Sequence, residues 1–408
     1  MLLKNKKILV AVTGSIAIYK SLELIRLYIK AGAVVKVLMT ESAKKFINPI
    51  TFEAISQNKV LDEDNESWDK QSTYNHIDIG KWADIFVIAP ASANTINKIS
   101  NGIADNLLTQ TVLAYPKLKI LSPAANTNMI TNPITLKSIE NLKLSNFKIV
   151  HTQVKELACK DVGDGAMAEP QEIFNVTARE LLKEQYWENR SVVLSGGGTI
   201  EKIDDVRYIS NFSSGKMAAS LAKALYFKGA NVTLVSTRGY ENLPSSINLI
   251  PVQSSEDMYE SLVDSLSIEK KQNLNKKTYL FMVAAVSDYL PNIKEEGKLK
   301  KELIGTSWSL KLKQNIDILN TLEKSEIISI GFKAELDQTV ANENAQKMLI
   351  NKKINGVCLN IIDENNNFGS DNNKIELVLK DKSFSFSAPK FELSMELLNC
   401  LKKEFNGY

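Results

Sequence analysis

The chain has 408 residues, 44% hydrophobic and 24% charged, and its 50 basic against 47 acidic side chains leave a net charge of +3. That balance excludes wholesale disorder, a disulfide-stapled miniprotein, and any electrostatic footprint for nucleic acid or an anionic membrane. The length suggests two or three domains. Three cysteines, Cys159, Cys358 and Cys400, form no C-x-x-C pair, and two histidines, His76 and His151, cannot build a His-rich metal centre. A reducing cytoplasm is the expected location.

Taken in chain order, Lys7–Val12 is a continuous β-branched and apolar run, which predicts a buried strand. Lys4, Lys6 and Lys7 ahead of apolar Ile8–Val12 mimic a secretory signal, but Thr13, Gly14 and Ser15 interrupt the run. No apolar stretch reaches transmembrane length. Helical spacing of Ile18, Leu22, Ile25 and Ile29 follows and stops at Gly32. Strands are expected at Val34–Met39, Ile85–Ala89 and Lys119–Ser122.

The pattern restarts with a strand at Ser191–Leu194, a glycine turn Ser195-Gly196-Gly197-Gly198-Thr199, a helix at Met217–Phe227, and strands at Val232–Val235 and Tyr279–Ala284. The polar segment Arg179–Arg190 sets a boundary near residue 190, hence domains 1–190 and 191–408. Both alternate strands with helices, so the expected fold is α/β, two doubly wound Rossmann-like domains with parallel sheets. Glu269–Lys277, Lys294–Lys301 and Asp363–Lys374 read as exposed loops, and Phe391–Phe405 as a closing helix.

The turn Thr13-Gly14-Ser15-Ile16-Ala17 joins the first strand to the first helix, where free N–H groups and the helix dipole favour a phosphate. With one glycine it is not the dinucleotide fingerprint. Ala89–Thr95 and Pro123–Met129 close later strands, at the end where open α/β sheets bind ligands. Ser92 and Asn94 can bond a ligand there or cap the next helix.

In order, Thr13–Lys20, His76-Ile77-Asp78-Ile79 with Trp82-Ala83-Asp84, Pro90–Thr95 and Pro123–Met129 strongly resemble the flavin-dependent cysteine decarboxylases. Leu157-Ala158-Cys159 with Gly163, Gly165 and Met167-Ala168-Glu169-Pro170 resembles the substrate flap of the phosphopantothenoylcysteine decarboxylases. The resemblance implies FMN, its phosphate at Gly14, Ser15, Ile16 and Ala17 and its ring near Ser92 and Asn94. The flavin would oxidise the cysteinyl thiol, and the resulting thioaldehyde would accept the electrons left by departing CO2. By the same resemblance His76 is a base or orienter, Asn126 binds the substrate carboxylate, and Cys159 protonates the ene-thiolate. Ala125 and Ile130 depart from the family pattern, and His151 is read as structural.

In the second half, Ser213-Ser214-Gly215-Lys216 fails the P-loop test, since Ser210 lacks the glycine and Met217 the hydroxyl. A helix N-cap at Ser213 or Ser214 is the plain reading, with anion binding also open. Gly197–Thr199, Glu201, Ile203-Asp204, Val206–Asn211, Ser213–Met217, Ala284–Tyr289, Lys298–Lys301, Asn315–Ile318 and Gly331–Glu335 are similar to phosphopantothenate–cysteine ligases. The fused order matches the bifunctional bacterial coenzyme A enzymes.

That resemblance implies attack of the 4′-phosphopantothenate carboxylate on the α-phosphate of CTP, then capture of the acyl-cytidylate by cysteine. Asn211 would position the intermediate and Lys298 would form it. Ala284, Asp288, Lys298, Asn315, Ile316, Asp317, Ile318, Phe332 and Lys352 would contact CTP, and Asp288 could hold Mg2+ or Mn2+. Met348 stands where a lysine is usual, Asp205 where proline is, and Ala218 where glycine is. A homo-oligomer, a dodecamer in the family, is implied as well. Two alternatives compete: a flavoprotein acting on a peptide's C-terminal cysteine, disfavoured by the fused ligase half, and a non-catalytic regulatory flavoprotein, disfavoured by the presence of His76, Asn126, Cys159, Asn211 and Lys298.

Overall fold

The computed structural model describes residues 1–69, 75–156, 160, 162–272, 276–300, 305, 307–362 and 369–407, which form two compact units, Met1–Leu181 and Leu182–Tyr408. In the first unit β1 (Lys7–Val12), β2 (Val34–Met39), β3 (Ile85–Ala91), β4 (Lys119–Pro123) and β5 (Phe147–Ile149) make one parallel sheet in the order β2-β1-β3-β4-β5. Every residue of β3 and β4 is buried, and β3 accordingly runs apolar instead of alternating. Leu9, Phe86, Ile88 and Leu121 pack with Ile96, Leu107, Leu108 and Leu142 of the covering helices. Each such side chain contributes roughly 1.5–3 kcal/mol by leaving water. A hairpin of β6 (Gln153–Glu156) and β7 (Val162–Ala166) stands outside the sheet.

The second unit opens with β8 (Ser191–Gly196), a small pair β9 (Glu201–Lys202) and β10 (Tyr208–Ile209), then β11 (Asn231–Ser236), β12 (Asn248–Pro251) and β13 (Thr278–Met282). A second small pair joins β14 (Tyr289–Pro291) to β15 (Leu312–Gln314), and β16 (Ile327–Glu335), β17 (Gly356–Ile361), β18 (Asn372–Val378) and β19 (Ser383–Pro389) follow. Its sheet runs β12-β11-β8-β13-β16-β17-β18-β19, parallel as far as β17 and antiparallel beyond. The doubly wound α/β expectation holds for both units, with an antiparallel edge on the second that the sequence reading did not anticipate.

Three expectations need correction. Glu269–Gln272 is not loop but the last turn of the helix Ser255–Gln272. The Glu269 carboxylate is bonded by the Ser191 hydroxyl at 2.5 Å and the Thr233 hydroxyl at 3.3 Å, so a polar helix end is held against the sheet. Asn372, Asn373 and Lys374 are not loop either, because they pair with Ser387, Ala388 and Pro389; residues 363–368 of that stretch lie outside the described residues. The N-cap of the helix Lys216–Phe227 is neither Ser213 nor Ser214 but Gly215, at φ +71° and without a side-chain cap bond.

The division between units falls at the end of the helix Pro170–Leu182. Residues 183–190 belong to the second unit for a physical reason. Trp187 is fully buried against Tyr186 and Tyr279, and Arg190 lies over the Tyr186 ring at 4.1 Å. Glu184 pairs with buried Lys228 and, at 3.0 Å, with Lys402. The charges in this stretch are partnered groups of a packed segment.

Candidate functional site

In the first unit the strand order reverses direction between β1 and β3, the place where open sheets leave a crevice. Thr13, buried after β1, stitches the two ends there. Its hydroxyl donates to the Pro90 carbonyl at 2.8 Å and accepts from the Ser92 N–H at 3.0 Å. The Ser15 hydroxyl accepts from the Ala17 N–H at 3.3 Å and opens a turn at Ile16–Ile18. Gly14 is required by close approach, since a Cβ would come within 2.6 Å of Ser42 Cβ.

Ser92 is the N-cap of the helix Ala93–Ser100, accepting from the Thr95 N–H at 3.3 Å, while Asn94 is exposed. Asn126 likewise caps Thr127–Ile130, its oxygen taking the Asn128 N–H at 2.9 Å. His76 opens the helix His76–Trp82, whose N-cap is Asn75. The His76 Nδ1 lies 2.9 Å from Glu66 Oε1, and its ring meets Trp68 edge-on at 5.3 Å. That helix leads into the start of β3, and the partners of His76 come from the segment before it, Glu66 and Trp68. Ile130 is buried and its departure from the family pattern is absorbed in packing, and His151 is exposed. Cys159 lies outside the described residues.

The β6–β7 hairpin is seated on Ala125–Thr127. The Ala125 N–H bonds the Gly165 carbonyl at 3.1 Å. A Cβ on Gly165, at φ +146°, would come within 2.2 Å of the Ala125 carbonyl, and one on Gly163 within 2.3 Å of Thr127 Oγ1. Lys20 ties the end of the hairpin, reaching the Met167 carbonyl and Glu169, which Lys155 also pairs. The hydrogen bond from Lys155, helped by Lys20 and opposed by burial, holds the Glu169 carboxyl below its ordinary range. Lys20 and Glu169 were quoted in the motifs but given no role, because their meeting is a tertiary event. Ser122, at the end of β4, and Thr127 each keep a buried hydroxyl oxygen with no partner among the described residues.

In the second unit the reversal falls between β8 and β13. Ser195 Oγ accepts the Val283 and Ala284 N–H groups at 3.0 and 3.1 Å, and Thr199 Oγ1 accepts that of Ser287 at 3.0 Å. Gly197 has φ +81°, and a Cβ there would lie 2.1 Å from Thr237 Oγ1. The glycine turn is thereby locked between two neighbouring loops. A cleft opens beside it, lined by Gly197, Ser213–Gly215, Ala284, Phe332, Lys333 and Lys390 among others.

Of the predicted nucleotide contacts, Ala284 and Phe332 line this cleft. Asn315 instead spends its side chain on the protein, donating to Ser287 O at 2.7 Å and Ser255 Oγ at 2.9 Å. Ile316 is half-buried against the apolar core, and Ile318 is buried in it, so Ile318 does not reach the cleft with its side chain. Asp317 caps the turn Ile318–Thr321 and pairs with Lys352 at 3.0 Å. Asp288 and Lys298 are exposed, and Asn211 donates to Val286 O at 3.0 Å. Met348 packs onto the sheet, its methyl 2.6 Å from where a Cβ on Gly331 would be.

The sequence reading missed Lys390 and Lys333, and gave Lys216 no role of its own. Lys390 is buried at the start of the last helix and donates to Asn372 O at 3.1 Å and to Ser370 O. Burial and nearby Lys216 press its ammonium below the usual lysine value. No local signal marks these lysines, since residues 153 and more positions apart are brought together. No group of three His, Cys, Asp or Glu side chains suited to a metal occurs among the described residues, and no helix there is long and apolar enough to cross a membrane.

The family model described as Flavoprotein matches residues 2–182, and that of the DNA/pantothenate metabolism flavoprotein C-terminal domain matches residues 187–404. The chain is 36% identical over 405 residues to the coenzyme A biosynthesis bifunctional protein CoaBC of Bacillus subtilis (strain 168), covering 97% of each. It is 32% identical over 403 residues to that of Escherichia coli (strain K12), covering 98% of this chain and 97% of the relative. Among solved structures, the C-terminal domain of CoaBC is 29% identical, spans 55% of this chain and 100% of its own, and superposes with a TM-score of 0.42. The FMN binding protein AtHal3 is 35% identical, with 43% and 95% covered and a TM-score of 0.39.

Proposed function

This chain belongs to the family of bifunctional coenzyme A biosynthesis proteins, with a decarboxylase and a ligase on one polypeptide, and from that premise we propose how its two units divide the chemistry. The second unit joins 4′-phosphopantothenate to cysteine using CTP. The first decarboxylates the phosphopantothenoylcysteine so formed to 4′-phosphopantetheine, using FMN. The observation that carries the division is the presence of two strand-order reversals, one bridged by Thr13 and Ser92 and one by Gly197 and Ala285.

The first crevice fits a flavin mononucleotide. Half-buried Ser92 and exposed Asn94 stand at the end of β3, where the flat ring would lie, and the Ser122 hydroxyl keeps a buried oxygen with no partner among the described residues. The turn Gly14–Ala17 leads into the first helix, whose amino end suits the phosphate. When bound, FMN supplies a reversible two-electron acceptor for the cysteinyl C–S unit. Around it the protein binds and moves protons. Glu66 at His76 Nδ1 fixes the ring and leaves Nε2 for the substrate. Asn126 binds the substrate carboxylate, the seated β6–β7 hairpin excludes water, and Cys159 returns the proton.

In the second unit the glycine turn, the helix end at Gly215 and the cleft-lining Lys333 and Lys390 support a triphosphate site. The Ala284 and Phe332 region takes the base and ribose. The carboxylate oxygen attacks the α-phosphorus, pyrophosphate leaves, and the cysteine amine then displaces CMP from the activated acyl carbon. Lys298 stabilises charge on the phosphoryl oxygens and Asn211 holds the acyl group. Asp288 offers one carboxylate to Mg2+, whose other ligands would be phosphate oxygens and water. We place the enzyme in the cytoplasm as a homo-oligomer. Absorbance of the purified chain near 450 nm, with CO2 released from supplied phosphopantothenoylcysteine, tests the first unit; pyrophosphate released from CTP only when phosphopantothenate is present tests the second.

A further inference from the structure

Lys298 is exposed on a loop with no secondary structure of its own, yet the chemistry proposed for it needs a fixed position. The residues on either side of it are gripped by one short segment, 203–207. Asp204 has a fully buried carboxylate. Its Oδ1 accepts the Val206 and Arg207 N–H groups at 2.8 and 2.6 Å, and its Oδ2 accepts the Leu299 N–H at 3.2 Å. Arg207 completes the clasp, 3.3 Å from Asp204 Oδ2 and donating to the Leu299 carbonyl at 3.2 Å.

Asp205 grips the other side. Its N–H donates to the Gly297 carbonyl at 3.2 Å, and its Oδ2 accepts the Gly297 N–H at 2.9 Å. Glu295 N–H adds a bond to the Ile203 carbonyl at 3.0 Å. The same segment continues into β10 and then Asn211, which is itself tied to Val286. One hairpin therefore carries Asn211 and holds the loop of Lys298.

We infer that Asp204 is a positioning residue for the ligase reaction, fixing the Lys298 loop relative to Asn211 through the Leu299 N–H. This rests on the roles proposed above for Lys298 and Asn211. A carboxylate is needed because both oxygens must accept: asparagine has one acceptor oxygen, and its NH2 would face the Leu299 N–H. Misplacing a reacting group by about 1 Å costs on the order of 100-fold in rate. Asp205 adds a second clasp that a proline at that position could not make, having neither the N–H nor the carboxylate.

The test uses the full-length, flavin-loaded chain. Asp204→Asn is expected to lower the rate of pyrophosphate release from CTP and phosphopantothenate by about 10- to 100-fold. The loss should fall on kcat, with the KM for CTP changed less than about threefold, and decarboxylation of supplied phosphopantothenoylcysteine kept. In a Lys298→Gln background the same change should cost less than about threefold, because Asp204 acts through that lysine. Equal losses in both backgrounds, or an Asp204→Asn variant as fast as the parent, overturn the inference. Full activity of Lys298→Gln alone overturns the role given to Lys298 and the inference with it, whereas additive losses leave that role standing. Should Asp204→Asn fail to fold, exposed Asp205→Ala carries the test: a loss of about threefold or more that vanishes in the Lys298→Gln background supports the inference, and an unchanged or additive rate overturns it.

Discussion

The ammonium of Lys20 lies 3.1 Å from the Met167 carbonyl and 3.0 Å from the Glu169 carboxylate, so the first helix of the flavoprotein unit holds the end of the β6–β7 hairpin. Lys20→Met keeps the apolar stem and removes both bonds. Each is worth about 1 kcal/mol. The expected result is a drop of about tenfold in kcat/KM for decarboxylation, with pyrophosphate release unchanged.

The same pairing sets a pH dependence. Lys155 and then Lys20 lower the Glu169 carboxyl in the folded state. A lowered carboxyl contributes stability above its unfolded value and loses it as pH falls through the folded one. The flap should hold its seat from neutral pH down to about pH 5 and loosen progressively below about pH 4. Pepsin cleavage within residues 153–166 should accelerate over that range in the parent, and Glu169→Gln should already be fast at pH 5.

Gly165→Ala places a Cβ against the Ala125 carbonyl at a left-handed φ. Backbone strain of this kind costs about 1–3 kcal/mol. Since Ala125 neighbours Asn126, the expected effect is a raised KM for phosphopantothenoylcysteine and a slower decarboxylation, measured by CO2 release. The ligase rate should not move.

The ends of β1 and β2 were readable to the residue because each is a short, mostly apolar run bounded by turn residues. The reversal loops were readable because Gly14 and Gly196–Gly198 punctuate them. What the sequence did not yield was every relation made by distance: Lys20 with Glu169, Asp204 with Leu299, Lys390 with the cleft. Polarity misled twice for one reason. Glu269 looks like a solvent-facing charge and Asn372–Lys374 like a loop, but each finds its partners in the adjoining sheet. Asn315–Ile318 read as nucleotide contacts in the sequence, whereas in the fold their side chains are largely spent on caps and core.

Trp187 tests where the second unit begins. It is fully buried between Tyr186 and Tyr279. Trp187→Ala should cost about 3–5 kcal/mol, lowering one calorimetric transition together with ligase activity. Flavin binding and decarboxylation should survive; their loss in step would place residues 183–190 with the first unit instead.

The central claim is that one polypeptide makes an amide at one crevice and decarboxylates the product at the other. The most direct measurement is a single reaction of the flavin-loaded chain with phosphopantothenate, cysteine, CTP and Mg2+, following pyrophosphate and CO2 together. The account requires about one CO2 for each pyrophosphate at completion, with CO2 lagging. Pyrophosphate without CO2, or neither from a folded yellow protein, would contradict it.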